Sequence, residues 1–412
     1  KPHASPTDHS YNYLLDLLLN SDLSKLSQEQ KDIAMMGLRK YSKNGEPVFQ
    51  SYHSVYDSDN HNFFPSGTVG IPPVNAGYLA LAYRFAREHG FDVPANAHFW
   101  ALSGDSEFRE GSMYEAVPDF AEREIGNLTW IVDYNRQSLD GQRIVNQKVM
   151  NGNDATRIEK SMAANGWEVI QIRHGSLRQS LFKKPNGDLF KKFIEEDLVD
   201  YELQALLLVQ DEKFLKKEIT KDHPALKKFL DQVTDKELFE ALRDFGGHDI
   251  IQMAEALLKS KESKRKPTII IAHTLKGWGL KMAAQQGNHS SLSTQEEIDE
   301  LRAKQGITKE GVLFQGFDPK TPEGKYLSER GEKLYSEIKA QNELKVKNQK
   351  IFADKFSALG PFPESLEINT KMTSYPHTQW MLGQLTAKLT RIANTADVSK
   401  LPANEQKWRE AA

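Results

Sequence analysis

The sequence predicts an α/β protein built on a doubly wound, mostly parallel sheet flanked by helices and carrying a helical insertion. Three observations lead there. Four short runs, Ala97–Leu102, Leu128–Val132, Trp167–Arg173 and Thr268–His273, are near-continuously apolar or β-branched, the pattern of strands buried on both faces. Helical patterns lie between and around them, at the spacing of strand–helix–strand units. The chain has 412 residues, 39% hydrophobic and 9% aromatic, enough for two or three domains with buried cores.

In chain order, Val74, Tyr78, Leu81, Ala82 and Phe85 share one face of a helix that should end near Gly90. Met113, Val117, Phe120 and Ala121 mark a second helix, which Pro118 should kink. Asp154 suits an N-cap, Ile158 and Met162 share a face, and Gly166 stands where a helix terminates. The stretch from about Phe193 to Lys264 is highly charged and reads as helix after helix, an insertion before the last strand. Residues from about Lys320 to Lys350 are again charged and helical. Leu359-Gly360-Pro361-Phe362-Pro363 breaks that pattern as a linker would, and Glu364–Ala412 looks like the opening of a further domain.

Composition removes several functions. Lysine plus arginine is 54 and aspartate plus glutamate 57, so the formal charge is 54 − 57 = −3, giving no electrostatic reason to bind nucleic acid or an anionic membrane. With no cysteine, disulfides, thiolate metal sites, iron–sulfur clusters and cysteine nucleophiles are excluded. No run approaches the roughly 20 apolar residues of a membrane helix, and no signal peptide opens the sequence, so a cytoplasmic location is expected. The first residue is Lys1, so removal of an upstream segment is also expected.

The informative chemistry lies in Gly104-Asp105-Ser106-Glu107 and Asp133-Tyr134-Asn135-Arg136-Gln137, each just past a predicted strand. In open parallel sheets ligands bind at that edge. Asp105 and Asn135 are 135 − 105 = 30 residues apart, one strand–helix–strand crossover, so the two loops can be neighbours. A carboxylate, a side-chain amide and a carbonyl are hard oxygen ligands suited to Mg²⁺ or Ca²⁺, and Mg²⁺ often completes its octahedron with phosphate oxygens. Gly104 permits close backbone approach, and a helix starting after it would point its N-terminus at the same place.

This arrangement resembles the thiamin diphosphate motif. Further segments extend the similarity: Asn127 to Gly141, Gly246-Gly247-His248-Asp249, Ala272-His273-Thr274-Leu275-Lys276-Gly277-Trp278-Gly279, Phe64-Pro65-Ser66-Gly67-Thr68-Val69-Gly70 and Lys1-Pro2-His3-Ala4-Ser5-Pro6. Together, and in chain order over essentially the whole sequence, they resemble the homodimeric type of decarboxylating component of the pyruvate dehydrogenase complex, in the transketolase-like superfamily. Two departures stand out: Ser106 occupies a glycine-type position, and Asp133 a position that is usually Asn.

The resemblance implies a diphosphate-binding domain over 1–345 with its helical insertion at about 193–264, a linker over 346–370, and the start of a pyrimidine-binding domain over 371–412. It implies thiamin diphosphate and Mg²⁺ as cofactors, with Asp105, Asn135 and Gln137 on the metal. Val69, Gly104, Asp105, Ser106, Asn135 and Lys276 would contact the cofactor, Lys276 as a positive charge near the phosphates. His3 would lie near the thiazolium ring, and His289 would meet the substrate or lipoyl group, a proton-transfer role suited to imidazole. The implied activity is oxidative decarboxylation of a 2-oxoacid such as pyruvate, with acetyl transfer to a lipoyl group. The implied partners are a second protomer or the rest of the pyrimidine domain, and a dihydrolipoyl acyltransferase; no nucleic acid or membrane is expected. The alternatives are a transketolase acting on sugar phosphates, or a non-catalytic fragment or subunit. His53, His61 and Arg84 form no evident phosphate funnel, which disfavours the transketolase. The remaining polar residues have ordinary readings: Glu107 and His248 as structural groups, His273 as a core or diphosphate-adjacent histidine, Val69 and Ile71 as apolar cover.

Overall fold

A computed structural model describes residues 4–42, 45–61, 68–138, 141–142, 154–285, 287–307, 314, 316–358, 366–372, 374–375 and 377–411. The chain divides into two compact units, Lys1–Tyr335 and Ser336–Ala412.

The first unit is built on four parallel strands: β1 (Phe99–Gly104), β2 (Leu128–Tyr134), β5 (Glu168–Ile172) and β6 (Thr268–His273), in the order β1-β2-β6-β5. Two short antiparallel strands, β3 (Gln137–Ser138) and β4 (Gly141–Gln142), form a separate ribbon. The four apolar runs are thus the sheet, and each matches its strand to within two residues at either end. β6 is buried at every position, because it is central and its Ile269, Ile270 and Ile271 serve both faces.

Helices cover both faces, as expected. On one face Trp130, Val132, Ile269 and Ile271 pack with Met113, Val117, Phe120, Ile158 and Met162 in one core. The helices Ile71–Glu88, Gly111–Glu122 and Asp154–Ala164 supply that layer. On the other face Ile131, Ile170 and Ile270 meet Met253, Ala256 and Leu257 of the helix Ile250–Ser260. Pro118 stays inside one continuous helix. Gly77 faces the Phe120 ring so closely that an added Cβ would come within 2.2 Å of it.

The insertion begins earlier than the sequence suggests. Helices Ser176–Phe182 and Gly187–Lys192 precede Phe193, so every helix from Ser176 to Ser260 lies between β5 and β6. Their apolar residues were hidden among lysines: Leu181, Phe190 and Phe193 enter a second core with Leu215, Phe229, Leu238 and Phe245. Near the start of the chain, helices Ser5–Leu14 and Gln28–Met36 enclose a small core of Leu18, Leu26, Ala34 and Phe49. The helix Pro322–Ala358 runs through residues 346–358, which the sequence reading placed in a linker. That stretch holds neither proline nor glycine, so nothing in it stops a helix. The second unit continues with helices Thr378–Asn394 and Ala403–Ala411, and the buried Glu405 takes Lys388 and Arg391 as partners. Among the described residues no helix is long and apolar enough to cross a membrane.

One histidine bears on stability. His98, beside β1, places Nε2 2.8 Å from the Thr129 hydroxyl and packs on Trp100. Burial, helped by the Lys261 ammonium, pushes its pKa down to about 4. An unfolded histidine titrates near about 6.5. As pH falls below that value the unfolded chain takes up a proton that the folded chain refuses, so His98 withdraws stability until about pH 4. The difference in melting temperature between the wild type and His98→Gln should therefore shrink as pH drops from 7 to 4.5; a constant difference in thermal denaturation would contradict this account.

Candidate functional site at the sheet edge

The site follows from register. β1 and β2 pair in parallel with Gly104 opposite Asp133, so the loops leaving both strands start side by side. β6 pairs with β2 through His273 opposite Tyr134, which brings Thr274 and Lys276 to the same edge.

Hydrogen bonds then lock the loops. The Arg136 backbone N–H donates to Asp105 Oδ2 at 2.7 Å, and the Ser106 hydroxyl donates to the Gln137 carbonyl at 3.3 Å. The Gln137 N–H donates to Asn135 Oδ1 at 3.0 Å, closing a turn that holds the amide. Asp105, Asn135 and Gln137 are all buried. The three residues expected to hold the metal are therefore brought together, with Ser106 spanning the two loops. Asp133 accepts from the Asn135 amide at 3.1 Å and from the Thr274 hydroxyl, so this extra carboxylate ties β2 to β6.

Glu107 has the structural role expected. Its carboxylate accepts the Gly104 N–H at 2.8 Å and the Gly70 N–H at 2.9 Å, joining the loop before Ile71 to the end of β1. Gly70 is held at φ +78°, a conformation that glycine enters freely. This clamp corrects one expectation: Asp105–Arg109 winds as a short 3₁₀ turn, and the α-helix starts only at Gly111. Val69, expected against the cofactor, is 48% exposed beside this clamp.

The loop after β6 joins two further expected residues. The Lys276 ammonium donates to His289 Nδ1 at 3.1 Å, and the Asn288 amide donates to the Lys276 carbonyl at 3.1 Å. His248 accepts the Leu275 N–H at 2.8 Å and stacks on Trp278, so it pins this loop rather than its own helix, which Asp249 caps. His3 lies outside the described residues, as do residues 64–67 of the loop before Val69.

Sequence reasoning missed what lies beneath. Arg136 is buried at φ +62°; its Nε donates to Asp200 at 2.9 Å and its Nη2 to His273 Nδ1 at 2.9 Å. Tyr134 donates its hydroxyl to the same Asp200 at 3.0 Å, and His273 Nε2 faces Gln171 Oε1 at 3.0 Å. Burial, and then the Arg136 charge, pushes the His273 pKa well below its ordinary value, so it is a neutral acceptor. Asp200 comes from the insertion, 64 residues beyond Arg136, and no local signal marks it.

The donor set fits a hard divalent cation with a diphosphate. Carboxylate, amide and backbone oxygens converge there, and both polar atoms of the Gln137 amide are buried with no hydrogen-bond partner. That orphaned amide is the kind of group a bound molecule or its water shell satisfies.

Fold and edge define a doubly wound α/β domain of the type that presents loop oxygens to a phosphorylated ligand. Comparison with known proteins narrows the class. The model of the transketolase thiamine diphosphate binding domain matches residues 222–351, which run from the insertion through β6 and into the helix Pro322–Ala358. Curated relatives named pyruvate dehydrogenase E1 component come from Corynebacterium glutamicum, 28% identical over 80% of this chain and 35% of that protein, and from Escherichia coli K12, 27% identical over 58% of this chain and 26% of that protein. The chain thus spans about a third or less of the length of these relatives. A transketolase structure from Leishmania mexicana is 19% identical, with TM-score 0.45, over 84% of this chain and 40% of that one. The chain resembles the thiamin diphosphate-dependent decarboxylating component of the pyruvate dehydrogenase complex, within the transketolase-like group.

Replacing Glu107 by Gln leaves one acceptor for two buried N–H groups. An unsatisfied buried donor costs about 1–3 kcal/mol. Urea denaturation of Glu107→Gln should show a loss of that order, and an unchanged midpoint would remove the clamp from this account.

Proposed function

We propose that this chain is the diphosphate-binding part of a thiamin diphosphate- and Mg²⁺-dependent enzyme that oxidatively decarboxylates a 2-oxoacid, pyruvate being the first choice, and passes the acetyl unit to a lipoyl group. The observation that carries this reading is the joining of the β1 and β2 loops, with Asp105, Asn135 and Gln137 presenting oxygen donors in one buried place. The similarity to pyruvate dehydrogenase E1 components supports the choice of reaction over sugar-phosphate transfer.

In this reading the Asp105 carboxylate, the Asn135 amide oxygen and the Gln137 carbonyl would hold Mg²⁺, which would neutralise diphosphate charge. Gly104 lets the backbone come close, and Ser106 keeps the two loops at one separation. Val69 covers one side of the cofactor. Thiamin diphosphate, when bound, supplies the electron sink for the pair released as carbon dioxide leaves. Lys276 places a positive charge at the same edge, and its bond to His289 joins the two; that imidazole would exchange a proton with the substrate or lipoyl group. His3 would serve the cofactor, as the resemblance implies. A pyrimidine-binding domain, its remaining part or a second protomer's, would complete the site, and a dihydrolipoyl acyltransferase would take the product. A cytoplasmic location agrees with this chemistry.

Asp105→Ala should remove Mg²⁺-dependent binding of thiamin diphosphate. Losing one partner of a buried charge pair costs roughly 3–5 kcal/mol, a loss of at least a hundredfold in affinity. Titration calorimetry with cofactor and Mg²⁺ measures it, and equal affinity in variant and wild type would defeat the assignment. Turnover of pyruvate with an artificial electron acceptor, set against turnover of xylulose phosphate, separates the oxoacid reading from the transketolase one.

A further inference from the structure

A second group of metal-ligating side chains lies in the N-terminal segment, among residues to which the thiamin reading gives no role. His9, His53 and Asp57 each offer a ligand atom, all within 4.8 Å of one another. His9 is 1% exposed and Asp57 7%. His9 comes from the helix Ser5–Leu14, the other two from the loop after Phe49. The His9 ring stacks on Phe49 at 3.8 Å and meets the His53 ring edge-on at 4.9 Å. The small core of Leu18, Leu26, Ala34 and Phe49 thus supports one side of the group.

The hydrogen bonds around it orient both imidazoles. His9 Nδ1 sits 2.7 Å from Asp59 Oδ2, which also accepts from the Asn12 amide. That leaves His9 Nε2, which is buried and has no hydrogen-bond partner. His53 Nε2 sits 2.9 Å from Asp8 Oδ2, leaving its Nδ1 as the second ring nitrogen. A carboxylate on the far nitrogen fixes tautomer and ring direction and raises the basicity of the near one, as behind many metal-bound histidines. Asp57 is held from behind, accepting the Ser54 N–H at 2.8 Å and the Gln50 N–H at 3.2 Å. Three carboxylates, Asp8, Asp57 and Asp59, thus stand around the two imidazoles.

We infer that His9, His53 and Asp57 form a binding site for a borderline divalent transition ion such as Zn²⁺, with Asp59 and Asp8 orienting the two histidines. Two nitrogens and one oxygen suit such an ion, unlike the all-oxygen set at Asp105. Three protein ligands leave a fourth position to water or a ligand. The inference is independent of the thiamin reading and stands if that one fails.

The test is a zinc titration of the chelator-stripped full chain, followed by calorimetry and by the visible absorption of Co²⁺ in place of zinc. The expected result is one tight ion per chain, with affinity reduced at least tenfold in His9→Ala and in His53→Ala. Asp59→Asn should cost about 10–100-fold, the usual effect of losing a group that orients a ligand. His9 is buried and its variant could fail to fold; His53 is less buried, so His53→Ala, checked by circular dichroism without metal, then decides. Asp105→Asn should leave zinc binding intact. Absence of zinc binding in the wild type, or binding that survives His53→Ala and is lost in Asp105→Asn, overturns the inference.

Discussion

The parallel pairing of β1 with β2, with Gly104 opposite Asp133, is the constraint on which the candidate site depends. Parallel strands send their chains out at the same edge, and this register starts the two loops level with each other. Backbone hydrogen bonds then convert neighbouring loops into one unit, because Asp105 accepts the Arg136 N–H and Ser106 donates to Gln137. A slip of one residue would turn Asp105 or Asn135 to the opposite face of the sheet. The continuous apolar burial of β2 and β6 resists that slip, since Trp130, Val132 and Ile269–Ile271 have no room to move past their neighbours.

The insertion supports the site from below. Arg136 holds a left-handed backbone conformation, which costs a non-glycine residue about 1–2 kcal/mol. It is retained because the guanidinium is fixed between Asp200 and His273 and lies over the Tyr134 and Phe245 rings. Asp200 and Phe245 both come from the insertion. The helices between β5 and β6 therefore act on the loop after β2 through one buried cation, although no residue of theirs stands among the expected ligands. The neutrality of His273 belongs to the same arrangement, for a second cation beside Arg136 would meet it unscreened.

Much of this was legible from the sequence, for identifiable reasons. A strand buried on both faces writes itself as an apolar run, so Thr268–His273 was found residue for residue. The loops at Asp105 and Asn135 were legible because their spacing equals one crossover. Gln137 and Ser106 followed from the same segments, and the Lys276–His289 contact joins two residues singled out separately. The strand order was not legible, since β6 enters between β2 and β5 only after a long insertion. Nor was Asp200, an acidic residue in a charged region whose partner is distant in sequence. The start of the insertion was blurred because Leu181 and Phe190 sit among lysines in the sequence.

The histidines show most clearly why sequence spacing fails where packing decides. His9 and His53 are 44 residues apart and share no short ligand motif, so nothing in the chain text joins them. They meet because Phe49 anchors the following loop against the helix Ser5–Leu14, a contact of hydrophobic origin that carries the polar groups with it. The sheet edge uses oxygen donors turned inward by backbone hydrogen bonds, and the N-terminal group uses imidazoles turned by carboxylates. Hard and borderline cations prefer those two donor sets respectively. On the two proposals, the fold would therefore hold its hard and its borderline donor sets in separate places.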